Sequence, residues 1–352
     1  MSYKYNVVVV GKTGVGKSTL INYLYGEKVR EAKTGKPVTE RGFHPIDIQI
    51  NQLPITLFDS WGLEVGKDKE WLDELEDELS KRSLDTSPKS WFHSVFYCIS
   101  TGGHRVEDFD KKIIGKFLEE KYKVTVIFTK ADNITVEEGE NLKKELSDFK
   151  DIDTVFVCAE EKKMMNGTIT KPFGKEEIKE VTLRNFWESL IIRLPARYEN
   201  IIKNEINHFI KSLHSEHVDK LSIAGLNKEN VYDAILEDCR LFIKKRLNKK
   251  TRDFVIELKE TYKNYSIFAK ELNLETENFK FEFGDELTIT YEEDQELHII
   301  LRDILIGKRK SVVESDLTSF INKFRSKLML EQEKRKKEIE STLIEVSEGV
   351  LN

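Results

Sequence analysis

A chain of 352 residues with 57 Lys plus Arg against 63 Asp plus Glu has room for about two domains, and its net charge of −6 excludes a uniformly basic face for nucleic acid or anionic membrane. Hydrophobic residues at 39%, among them 20 Phe, 11 Tyr and 4 Trp, supply a core and exclude global disorder. Cys98, Cys158 and Cys239 lack any short metal-ligand spacing and read as reduced thiols of a cytoplasmic protein. No run reaches the ~18 apolar residues of a bilayer span, so a soluble chain without a signal or transmembrane segment is expected.

Apolar β-branched runs recur in order at 5–10, 46–50, 55–58, 94–99, 124–128 and 155–158, with polar helical patterns between most of them. Runs apolar on both faces belong to buried parallel strands. The alternating Ile46, Ile48 and Ile50, joined to the next run by a short turn at 51–54, belong to an antiparallel edge strand. The sum is a doubly wound, mostly parallel six-stranded α/β sheet.

All six prolines and 14 of 18 glycines fall at or before position 195. The remaining 157 residues hold four glycines and no proline, so they read as long helices. We divide the chain near 194–197, into an α/β domain over 1–195 and a mainly helical domain over 196–352. Ile202, Ile206, Phe209 and Leu213 form one apolar stripe; Val231, Ile235, Cys239 and Phe242 or Ile243 form another. A period of two between Phe279 and Leu301 predicts a small antiparallel meander. Leu317, Phe320 or Ile321, Phe324 and Leu328 return to helix, ahead of a charge-dense stretch at 331–340 that reads as a solvated helix.

Gly11, Lys12, Thr13, Gly14, Val15, Gly16, Lys17 and Ser18 satisfy G-x-x-x-x-G-K-[ST], between the first strand and a helix starting near Lys17. Glycines let the backbone wrap a phosphate with inward amides and the helix N-terminus adds its positive dipole end. Lys17 reaches the β and γ phosphates, and Ser18 offers its hydroxyl to Mg²⁺. Thr19 follows within the same first turn and completes the phosphate-binding set.

Three later segments arrive at strand ends in the order that resembles a P-loop GTPase of the translation-factor-related class. Asp59-Ser60-Trp61-Gly62 resembles D-x-x-G, which implies that Asp59 holds Mg²⁺ through water and Gly62 senses the γ phosphate. Thr129-Lys130-Ala131-Asp132 resembles [NT]-K-x-D, which implies that Asp132 accepts from guanine N1 and N2 while the Lys130 stem covers the base. Adenine offers no matching donor pair. Cys158-Ala159 is similar to the segment whose amide meets guanine O6. Thr34 and Thr39 both lie where the family places its Mg²⁺-binding switch threonine. We choose Thr39, because 35–39 reads G-K-P-V-T and resembles the Era, TrmE and 50S-binding branch, as does the I-N-x-L-x-G pattern of 21–26, shared with septin and Toc-like relatives. The likeness covers about residues 4–195.

The resemblance implies a fold, GTP or GDP with Mg²⁺ as cofactors, and a GTP-hydrolysing molecular switch with Lys17 and Thr39 in the catalytic set. Ras-type enzymes place a water-orienting glutamine right after D-x-x-G, but this chain has Leu63. A group from Glu64, Arg41, a second copy or a partner must replace it. That expectation brings in a homodimer in the GTP state, or an unidentified protein or ribosomal partner. It also sustains the alternative of a nucleotide-gated assembly or scaffold protein, dynamin-like or septin-like. Gly14 stands where potassium-activated members carry asparagine, which argues against a potassium requirement. Nucleic acid is not indicated. His208, His214 and His217 fall on one predicted helix without an acidic third ligand at a metal-site spacing, and read as helix surface. Trp61 and Trp71 flank the second switch, either as a partner-facing patch or as packed core.

Overall fold

The computed structural model describes residues 4–26, 42–50, 53–60, 68–150, 152–163, 169–218, 228–271 and 310–351. The valine run forms β1 (Tyr5–Gly11), whose seven residues are all buried because both faces of the strand are covered. It is followed by α1 (Lys17–Tyr25), β2 (Phe43–Ile50), β3 (Leu53–Ser60), α2 (Asp68–Ser80), β4 (Ser94–Ser100), α3 (Asp108–Glu119), β5 (Val124–Thr129), α4 (Val136–Lys144) and β6 (Ile152–Val157). The sheet order is β2-β3-β1-β4-β5-β6, all pairs parallel except β2 with β3. This is the doubly wound six-stranded sheet that the alternating runs predict, and a mainly helical remainder follows it.

Two prolines fit this edge. Pro45 lies within β2, where one side of the strand has no neighbour to donate to, and Pro54 is the second residue of β3, paired with Gln49. The expected turn at 51–54 is therefore shorter, since Pro54 belongs to the strand.

A two-residue hairpin, β7 (Lys162–Lys163) with β8 (Ile169–Thr170), precedes the long α5 (Lys175–Leu213). α5 runs on through Pro195, which forfeits one backbone hydrogen bond. Buried Leu194 and Tyr198 and the Arg197–Glu257 ion pair at 2.8 Å hold the backbone on either side of it. A π-helical turn (His214–Val218) ends that helix. Then come α6 (Lys228–Leu241), a second π-helical stretch (Phe242–Leu247), α7 (Asn248–Glu271) and α8 (Lys310–Leu351). The predicted meander at 279–301 lies outside the described residues.

The chain divides into two compact units, one of residues 1–193 with 264–277 and 350–352, the other of 194–263 with 278–349. In the first, the last turns of α7 enter the core. Phe268 stacks on Tyr5 at 4.1 Å and meets Phe186 edge-on, and Tyr265 lies 4.6 Å from Trp187. Trp71 is fully buried on α2, so it is core and not a partner-facing patch; Trp61 lies outside the described residues. In the second unit the expected stripes are buried: Ile202, Ile206, Phe209 and Leu213 of α5, Ile235 and Cys239 of α6, and Leu317, Phe320, Ile321, Phe324 and Leu328 of α8. Each fully buried side chain of this size contributes about 1.5–3 kcal/mol relative to exposure. Phe209 stacks on Phe242 at 4.0 Å and meets Phe324 at 6.3 Å. The stretch 331–340 differs from the solvated helix expected of it. Gln332 and Ile339 are buried, and Lys336 pairs with Glu199 at 2.8 Å, because one face of α8 packs against α5 while only the other meets water.

Candidate functional site

Parallel pairing puts the ends of β1, β3, β4, β5 and β6 along one edge of the sheet. Chain order reverses at β1, between β3 and β4, which leaves a crevice outside the strand ends where an open α/β sheet takes its ligand. The described segments that the sequence assigns to phosphate, Mg²⁺ and base lie at these strand ends or follow them.

The loop leaving β1 starts at Gly11, where a Cβ would collide with the Cys98 carbonyl of β4, so only glycine can occupy the position. It closes at Gly16, which has φ of 104° in the left-handed region and is the N-cap of α1. Gly16 has no side chain to cap the helix, and the first turn holds no acid. The positive end of the helix therefore faces the crevice uncompensated by its own residues. Lys17 is 8% exposed and turns back into the loop, donating to the carbonyls of Gly11 at 2.6 Å and Lys12 at 3.1 Å. Burial lowers its pKa to about 8, against a weaker opposite pull from Cys98. A buried ammonium held by neutral carbonyls is under-compensated, and an anionic phosphate oxygen supplies what carbonyls do not. Ser18 is exposed and Thr19 half-buried on the same turn, while Thr13 and Gly14 lie exposed at the crest.

The segment after β5 is tied to this loop. The Thr129 hydroxyl donates to the Val15 carbonyl, and the Lys130 ammonium donates to the Gly14 carbonyl at 2.9 Å. Lys130 has φ of 58°, which turns the chain into a short 3₁₀ segment (Ala131–Asn133) carrying Asp132, half-buried. Cys158 is buried and exchanges backbone hydrogen bonds with Phe173, and its thiol faces the Glu160 carbonyl at 3.2 Å; Ala159 lies in between. Asp59 is half-buried on β3, opposite Val9 of β1 and His44 of β2. Carboxylate and hydroxyl oxygens such as those of Asp59 and Ser18 are the hard donors that suit Mg²⁺. Thr34, Thr39, Arg41, Gly62, Leu63 and Glu64 lie outside the described residues.

Sequence reasoning missed two supports. Thr101, fully buried just after β4, donates to the carbonyls of Thr129 at 3.1 Å and Lys130 at 2.7 Å, which fixes the turn that carries Asp132. Its place at the end of the fourth strand was the available signal. Lys12 pairs with Glu107 at 2.8 Å and Asp110 at 3.2 Å, at the start of α3, and buried Tyr97 donates to the other oxygen of Asp110 at 2.7 Å. The Lys12 hydrogen bond holds the Glu107 carboxyl below the usual range. Nothing local in the sequence joins these residues.

This arrangement of strand ends agrees with a family comparison: the model described as 50S ribosome-binding GTPase matches residues 6–160. Residues 6–160 are a P-loop GTPase domain. Among curated relatives of this GTPase domain, neuronal-specific septin-3 of Rattus norvegicus is 27% identical over 164 residues, 40% of this chain and 46% of that protein. The tRNA modification GTPase MnmE of Pseudothermotoga lettingae is 30% identical over 155 residues, 44% of this chain and 32% of that protein. The structure of Toc33 from Arabidopsis thaliana with Mg²⁺ and GMPPNP is 20% identical, with a TM-score of 0.37, over 54% of this chain and 86% of that one. The chain thus spans about half the length of the septin and about a third of that MnmE. Among the described residues no helix is long and apolar enough to cross a membrane.

Proposed function

We propose that the protein binds GTP with Mg²⁺ at this loop cluster, hydrolyses it, and works as a molecular switch whose turnover is stimulated by self-association or by a partner. The observation that carries the reading is the double tether from Thr129 to Val15 and from Lys130 to Gly14, which holds the segment bearing Asp132 against the phosphate loop. In this assignment residues 11–19 hold the phosphates, with Lys17 facing the β and γ groups. Asp132, Thr129, Lys130, Cys158 and Ala159 surround guanine. Ser18, Thr39 and Asp59 hold Mg²⁺, which neutralises charge that develops on the phosphates. Gly62 and Thr39 belong to segments that order around the γ phosphate, and the helical region over 196–352 reads out the state. A cytoplasmic location, a homodimer in the GTP state and an unidentified protein or ribosomal partner belong to the same proposal.

A second reading, a nucleotide-gated assembly or scaffold protein, is favoured by Leu63, an apolar side chain that cannot align a water. Two measurements test both. Competition between GTP and ATP decides the base, and equal affinities would remove Asp132 from its role. The GTPase rate per molecule across a dilution series, with sedimentation in GDP and GTP-analogue states, decides the rest. A rate that falls on dilution supports stimulation by self-association, whereas a fast rate that stays flat in a monomeric preparation refutes it.

A further inference from the structure

The helical unit brings together a set of metal-ligating side chains unrelated to the nucleotide site. Glu216 and His217 lie in the π-helical turn that ends α5, and Asp238 lies on α6. Nε2 of His217 is 2.7 Å from Oδ2 of Asp238, and one ligand atom from each of the three residues falls within 4.8 Å of the other two. The sequence reading found no acidic partner for these histidines because Asp238 is 21 positions away and reaches His217 only through the fold. His208 is exposed and His214 faces Thr318 at 3.4 Å, so neither joins the cluster.

Two features beyond the cluster itself favour an ion. A π-helical turn has more residues per turn than an α-helix, so adjacent side chains diverge less and Glu216 and His217 both face Asp238; such turns recur at functional sites. The Ser212 hydroxyl donates to Oε1 of Glu216 at 2.9 Å, orienting that carboxylate from behind as outer hydrogen bonds do around metal ligands. With a neutral imidazole the three ligands carry two negative charges, the complement of a divalent ion. The imidazole nitrogen selects the zinc class over Mg²⁺ and Ca²⁺, which prefer all-oxygen sites. We propose that Glu216, His217 and Asp238 bind one zinc-class divalent ion, with water in the fourth position, and that the ion fastens the end of α5 to α6.

The test uses the full chain, freed of metal and nucleotide, titrated with zinc sulfate by calorimetry and followed by thermal melting. The expected result is a saturating step at one ion per chain, with a melting temperature that rises with zinc. His217→Gln and Asp238→Asn each weaken that step more than about tenfold, and magnesium sulfate gives no such step. Absence of a one-to-one step in the wild-type chain overturns the proposal, whether or not a variant folds. Unchanged zinc affinity in either folded variant overturns it as well.

Discussion

His93 makes the stability of the first unit depend on pH in a calculable way. Its ring is buried at the start of β4. Nδ1 accepts from the Asn6 amide at 2.8 Å, and Nε2 faces the Pro88 carbonyl at 3.1 Å, so the neutral ring carries its proton on Nε2. Tyr5 stacks on it at 5.3 Å and Phe186 meets it edge-on at 4.9 Å. Protonating Nδ1 would break the Asn6 bond and place a cation among these rings. Burial accordingly lowers the pKa from 6.5 to about 3; the Pro88 bond opposes the shift and the Arg193 charge adds to it. Below about 6.5 the unfolded chain takes up a proton that the folded chain refuses, so this contribution is fully present at neutral pH and is lost as pH falls towards 3. At ~1.4 kcal/mol per unit the loss is about 2 kcal/mol at pH 5 and approaches about 5 kcal/mol below pH 3. Trp71, Trp91 and Trp187 are buried in this unit, so urea unfolding followed by tryptophan fluorescence at pH 7.5 and 5.0 reads it directly. His93→Asn keeps an acceptor for Asn6 and removes the titration. Its stability between the two pH values should fall by about 2 kcal/mol less than that of the wild type. Asp47, Glu107 and Glu138, whose pKa values are lowered from already acidic ones, act below this window. Equal falls for wild type and variant would refute the reasoning.

Lys17→Ala removes the buried cation of the phosphate loop and should weaken GTP binding at least about 100-fold, roughly 2.7 kcal/mol, in a chain that still folds; wild-type affinity by calorimetry would take the loop out of the mechanism. Asp132→Asn presents an amide in place of a carboxylate, so GTP binding should weaken while xanthosine triphosphate gains relative to it, and loss of both nucleotides would argue against base reading. Phe268→Ala should destabilise the first unit by about 3 kcal/mol or more, because the ring fills the space between Tyr5 and Phe186; a chain ending after Pro195 lacks it and should unfold at lower urea by the same fluorescence signal.

The sequence by itself determined the sheet and the loop that leaves its first strand. β-branched runs mark buried strands, and the glycine spacing of 11–16 marks a turn from strand into helix, so strand, loop and helix start follow from neighbours along the chain. The carbonyl of Cys98 that demands glycine at position 11, by contrast, arrives through the fold. The segments at Asp59 and Thr129 were legible for the same reason, since each closes an apolar run. Tertiary structure alone decided the contacts between residues far apart. Thr101 holds the turn after Thr129, Lys12 meets Glu107 and Asp110, Phe268 returns to Tyr5, and Asp238 meets His217. The exposure of 331–340 and the passage of α5 through Pro195 were also settled there. A run of mixed charge reads the same whether one face is covered or none is. A proline reads as a breaker until the packing that keeps its helix continuous is in place.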